Sequence, residues 1–69
     1  MRRFVHLIAL SLLAVTVTGC AASVAFRRGE RATRAGDWDA AVTYYREAVQ
    51  ADPRRAEYKI ALGRAMLNA

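Results

Sequence analysis

Sixty-nine residues hold at most one small domain, and a chain this short rarely buries a core worth more than a few kcal/mol without a metal, a crosslink or a partner. Eleven basic against six acidic residues give a formal charge of +5, but the arginines are spread along the chain instead of forming one block and no recognition motif accompanies them, which speaks against nucleic acid as the partner. The single cysteine, Cys20, excludes an intrachain disulfide and a cysteine-based metal cluster.

The chain opens with a basic head, Met1 to Arg3, followed by an apolar body from Phe4 to Val17 broken only by His6, Ser11 and Thr16. This is the three-part plan of a secretory signal peptide. Without Arg2 and Arg3, nine basic residues face six acidic ones, a charge of +3. His6 has no second ligand near it in sequence and reads as a tolerated residue of the leader. The body ends at Val17, Thr18, Gly19 and Cys20, which resembles the lipobox of bacterial lipoproteins. That resemblance implies cleavage between Gly19 and Cys20 and lipid attachment to the Cys20 thiol. Residues 1–19 are then a signal peptide and 20–24 a short lipid tether. Ala21 in place of an aspartate-type retention signal points, by the same analogy, to the periplasmic face of the outer membrane. A second reading stands beside it. Phe4 to Phe26 is a run of twenty-three uncharged residues, long enough to span a bilayer, so residues 4–26 also fit an uncleaved inner-membrane anchor. Arginines on both flanks leave its orientation open.

Beyond the tether the sequence predicts an all-α fold over residues 25–69. The first helix, Ala25 to Ala35, has a sparse apolar content of Ala25, Phe26, Ala32 and Ala35. Gly29 interrupts it at a propensity cost of up to about 1 kcal/mol, which is expected where another helix comes close. Gly36 suits the positive φ that ends a helix, and Asp37 suits the cap of the next, so a tight helix-turn-helix corner is expected there.

The second helix, Trp38 to Ala51, is the most strongly amphipathic. Trp38, Ala41, Val42, Tyr45, Ala48 and Val49 recur at steps of three and four, with Asp39, Thr43, Arg46, Glu47 and Gln50 opposite. The aromatics Trp38, Tyr44 and Tyr45 are read as packing residues. Asp52 and Pro53 stop the helix because the residue before proline is pushed out of the α region. A third helix, Ala56 to Asn68, carries Tyr58, Ala61, Leu62, Ala65 and Met66 on one face.

Laid on itself at an offset of 34, the chain pairs Ala22 with Ala56, Gly29 with Gly63 and Ala35 with Ala69; Phe26 also meets Ile60. The sequence resembles the tetratricopeptide repeat, a 34-residue helical hairpin. The positions that carry the resemblance are Gly29, Gly36, Trp38, Ala41, Tyr45, Ala48 and Pro53, then Leu62 and Gly63 in the next unit. It implies one complete repeat plus the first helix of a second. Ala25 and Arg28 stand where the family favours a large aromatic and a leucine, as in a terminal repeat. The residues that clamp a partner's terminal carboxylate in chaperone-binding members have no match.

The expected function is a membrane-tethered protein-protein interaction module of the bacterial cell envelope. Its partner face would comprise Phe26, Glu30, Thr33, Ile60, Arg64 and Leu67, where an extended or helical peptide could lie. No nucleophile, base or ligand set points to an enzyme, a cofactor or a metal. Because repeats of this kind need about three units to bury a continuous core, the array is expected to be a truncated piece of a longer one, or else Leu62, Met66 and Leu67 find a partner in another chain, and the isolated chain is expected to self-associate. An alternative is the N-terminal piece of a larger envelope assembly: the run from Ala35 to Pro53 and then YKIAL is similar to the repeat preceding secretin domains in some secretion-system outer-membrane proteins.

Overall fold

The computed structural model describes residues 19–69, all of whose regular structure is helical. Residues 1–18, and with them Val17, Thr18 and nearly all of the expected signal peptide, lie outside the described residues. Helix α1 occupies residues 19–34, α2 Trp38–Ala51 and α3 Ala56–Asn68. Among the described residues no helix is long and apolar enough to cross a membrane.

The α1–α2 corner forms for local reasons. Gly36 adopts φ 73°, its N–H bonds the Thr33 carbonyl (3.0 Å), and the Asp37 N–H bonds the Ala32 carbonyl (2.9 Å). These two bonds make a Schellman motif and satisfy carbonyls that the end of α1 would leave orphaned. Asp37 then turns to the next helix, its Oδ1 accepting the Ala40 N–H at 3.2 Å. One residue thus closes α1 with its backbone and caps α2 with its side chain. The α2–α3 corner is different. Asp52 caps the end of α2, Pro53 and Arg54 turn, and Arg55 opens α3 with no side-chain cap.

The three helices share a core made of small residues and rings. Near one end Ala22 and Ala25 of α1 meet Ala48 of α2 and Tyr58 of α3; near the other, Ala41 and Tyr45 meet Ala65. Phe26 packs against both clusters, its ring centroid 5.5 Å from that of Tyr45 and 4.8 Å from that of Tyr58. Alanines let the backbones approach, and the three tilted rings fill what remains. Such ring pairs add roughly 0.5–1.5 kcal/mol each beyond the area they bury.

At Gly29, α1 meets the Tyr45 ring of α2. A Cβ built there would stand 2.5 Å from Cδ1 and Cε1 of Tyr45, so only glycine admits the ring.

Three sequence expectations need correction. Residues 20–24, expected as a tether, are helical, and Ala22 is fully buried. No breaker separates Cys20 from Ala25, and extending α1 by a turn brings Ala22 onto Ala48 and Tyr58. At the other end Ala35, expected inside the first helix and apolar in role, lies exposed in the turn because Gly36 closes the helix at residue 34. Met66, expected on the buried face of α3, is 54% exposed. Tyr58 and Ala65 take the buried side, and Met66 lies about 100° around the helix from Ala65, beyond the reach of α1 and α2.

Candidate protein-binding groove

Between α1 and α3 runs a groove of about 510 Å³. From α1 it is lined by Phe26 and Thr33, from α2 by Trp38 and Tyr45, and from α3 by Glu57, Ile60, Ala61, Arg64, Ala65, Leu67 and Asn68. Five of the six residues expected on a partner face therefore meet here; Glu30 is half-exposed on α1 but does not line the groove. Ile60 and Leu67, 55% and 88% exposed, place large apolar surface in water. Around them stand Glu57, Arg64, Thr33 and Asn68. A mixed wall of this kind suits a peptide that buries a few apolar side chains while its polar groups meet the rim.

The floor of the groove is held by a hydrogen-bond relay. Thr33 Oγ1 lies 2.9 Å from the Gly29 carbonyl and 3.0 Å from Tyr45 Oη. The threonine has one hydroxyl proton, and the carbonyl can only accept. Thr33 therefore donates to Gly29, and Tyr45 donates to Thr33. The relay ties α1 to α2 directly beneath the ring that Gly29 admits. On α3, Asn68 Nδ2 donates to the Arg64 carbonyl at 2.8 Å, which orders the far end of the wall.

The charged residues flanking the α2–α3 turn form a small network. Asp52 lies 3.8 Å from Arg54 Nε and 4.0 Å from Arg55 Nε; Arg55 also bonds Glu57 at 2.7 Å and sits 5.6 Å from the centre of the Tyr58 ring. Glu57 is thereby held at the groove's edge. Among the described residues no group of three His, Cys, Asp or Glu side chains is placed to hold a metal ion.

Sequence reasoning missed several lining residues. Glu57, Ala61 and Asn68 fall at helical spacing from Ile60 and Arg64, so that signal was present. Trp38 and Tyr45 carried none, because they reach the groove from α2 across the helix interface.

The repeat positions divide by neighbourhood. Gly29, Ala41, Tyr45 and Ala48 are buried within the α1–α2–α3 packing, Trp38 is half-buried beside Tyr45, and Gly36 and Pro53 occupy the two turns. Leu62 is half-buried, and a Cβ at Gly63 would meet nothing within 4 Å. Gly19 and Cys20 are exposed in α1, Cys20 with a free thiol.

The model of the tetratricopeptide repeat matches residues 22–65, well over half of the chain. No curated protein and no solved structure shows significant similarity to it. Two antiparallel helices closing on Gly29, with a third in the same relation to the second, are the architecture that this match implies. The chain belongs to the tetratricopeptide repeat family.

Proposed function

We propose that the chain is a non-catalytic scaffold of the bacterial cell envelope, tethered to a membrane through Cys20 and binding a protein partner in the groove between α1 and α3. The family mediates protein-protein interaction in general. The observation that carries the partner reading is the groove itself, with Ile60 and Leu67 exposed beside Arg64 and Glu57. The tether and the outer-membrane location rest on the sequence: a leader ending in Val17, Thr18, Gly19 and Cys20. A diacylglycerol on the Cys20 thiol and a third acyl chain on the new amino group, as the lipobox resemblance implies, would at roughly 0.8 kcal/mol per buried methylene make such a tether nearly irreversible.

Two measurements test it. Intact-mass analysis of the protein expressed in a lipidating host is expected to give a species starting at a lipidated Cys20; a species retaining Met1 defeats the lipoprotein reading in favour of the uncleaved anchor. A peptide-display selection on the chain is expected to yield amphipathic peptides whose binding is lost in Ile60→Asp and Leu67→Asp at unchanged helicity. Binders indifferent to both substitutions place the partner elsewhere.

A second reading, the N-terminal piece of a larger envelope assembly of secretin type, rests on the run from Ala35 to Pro53 followed by YKIAL. Downstream coding sequence for β-rich domains would support the secretin-type piece, and further helix pairs the scaffold.

A further inference from the structure

The solvent face of α1 is a basic stripe. Cys20, Val24, Arg27, Arg31 and Arg34 recur at steps of four and three, which lines them along one side of the helix over roughly 21 Å, and Arg28 flanks them. All of these residues are exposed. The ion pairs found among the described residues join Asp52, Arg54, Arg55 and Glu57; none involves the four arginines of α1. Glu30, the one acidic residue of α1, flanks the other edge of the stripe, three residues after Arg27 and four before Arg34, but makes no ion pair with either and leaves the helix face with four arginines against one carboxylate. Asp37 stands near Arg28 and Arg31 across the shallow groove that these residues line with Tyr44, but its Oδ1 is committed to capping α2.

We propose that α1 lies along an anionic lipid surface on this arginine stripe, so that the repeat is held flat against the membrane and not on a flexible stalk. The location rests on the tether proposed above; the orientation rests on α1 alone. Because residues 20–24 are helical and Ala22 is fully buried, no slack separates Cys20 from the packed helices. A membrane holding Cys20 is therefore within a few turns of every arginine in the stripe. Each arginine brought to an anionic surface strengthens the attraction by roughly fivefold, and the effect fades within about 8 Å at physiological salt. An acidic protein would meet the same charge, but the lipid surface is favoured because the residue expected to carry the lipid heads the stripe on the same face. The orientation also leaves the binding groove usable. Phe26 and Thr33 lie roughly 100–120° around α1 from Arg27, turned away from the membrane.

The test places the chain purified from a lipidating host, anchored through Cys20, in bicelles of phosphatidylcholine, with and without phosphatidylglycerol, and records NMR relaxation caused by a water-soluble gadolinium chelate. With the anionic lipid, Val24, Arg27, Arg31 and Arg34 are expected to be shielded while Thr43 and Glu47 of α2 stay open. Shielding is expected to be lost in neutral bicelles, in roughly 1 M salt where the Debye length is about 3 Å, and in the variants R27E/R31E/R34E and R27Q/R31Q/R34Q. Helicity is monitored alongside, and the salt series on the unaltered chain stands independent of either variant. Equal shielding in neutral and anionic bicelles overturns the proposal. So does an open stripe while Cys20 is shielded, a result that leaves the tether intact. A Cys20 open to the chelate in both kinds of bicelle instead defeats the tether itself. Shielding by added poly-glutamate but not by anionic bicelles overturns the lipid surface in favour of an acidic protein.

Discussion

Gly29 and Gly63 stand at equivalent positions of the repeat and meet opposite surroundings. At Gly29 the Tyr45 ring occupies the space of a side chain, and it cannot swing aside, because Phe26 packs on it and Thr33 holds its hydroxyl. Gly29→Ala gains up to about 1 kcal/mol of helix propensity but overpacks the contact by roughly 1–3 kcal/mol, so the net effect is destabilising. Gly63→Ala meets open space and is expected to stabilise α3 by up to about 1 kcal/mol. Urea titrations followed by circular dichroism read both signs, and equal signs would contradict the contact. Tyr45→Phe removes one half-buried hydrogen bond while leaving Thr33 its bond to the Gly29 carbonyl. A loss of about 1 kcal/mol is expected in the same titration, and no loss would show the relay to be incidental.

At the level of elements, the α1–α2 corner is built by two adjacent residues with separable roles. Gly36 supplies the positive φ, and an alanine there is expected to cost about 1–2 kcal/mol. Asp37 supplies the cap, and Asp37→Ala is expected to cost about 1 kcal/mol. Because the positive-φ turn at Gly36 sets where the Asp37 side chain meets the start of α2, straining that turn loosens the cap as well, and the two changes should not add. A double-mutant cycle is expected to show a coupling of at least about 0.5 kcal/mol, and strict additivity would mean that the two helices end and begin independently. The corner beyond α2 has no such device at Arg55 and depends on Pro53 and the Asp52 network, whose largely exposed pairs contribute about 1 kcal/mol or less.

For the whole molecule, the size and kind of the core decide the behaviour. Among the described residues no large side chain is fully buried; alanines and the rings of Tyr45 and Tyr58 make up the interior. Meanwhile Ile60, Met66 and Leu67 are exposed on α3. A core this small is marginal alone, and association that covers α3 would stabilise it by mass action. A soluble chain of residues 20–69 carrying Cys20→Ser is therefore expected to be partly helical at low concentration and to melt at higher temperature as concentration rises. Sedimentation should show the matching self-association. A monomer with a sharp, concentration-independent melt would show that three helices suffice.

Several features could be read from local sequence alone. The spans of α2 and α3, the Gly36–Asp37 corner, the close approach at Gly29 and five residues of the groove all follow from helical periodicity, capping chemistry and backbone limits that neighbouring residues impose on each other. The burial of Ala22 could not be read that way, since it depends on Ala48 and Tyr58 across the interface. Nor could the role of Phe26: periodicity placed it on the partner face, and packing made it the ring that joins both core clusters. Met66 shows the same limit from the other side. Its spacing admits it to the buried stripe of α3, but a helix with apolar residues on two sides buries the one its neighbours reach. That choice belongs to the arrangement of α1 and α2 in space, which no periodicity within α3 encodes.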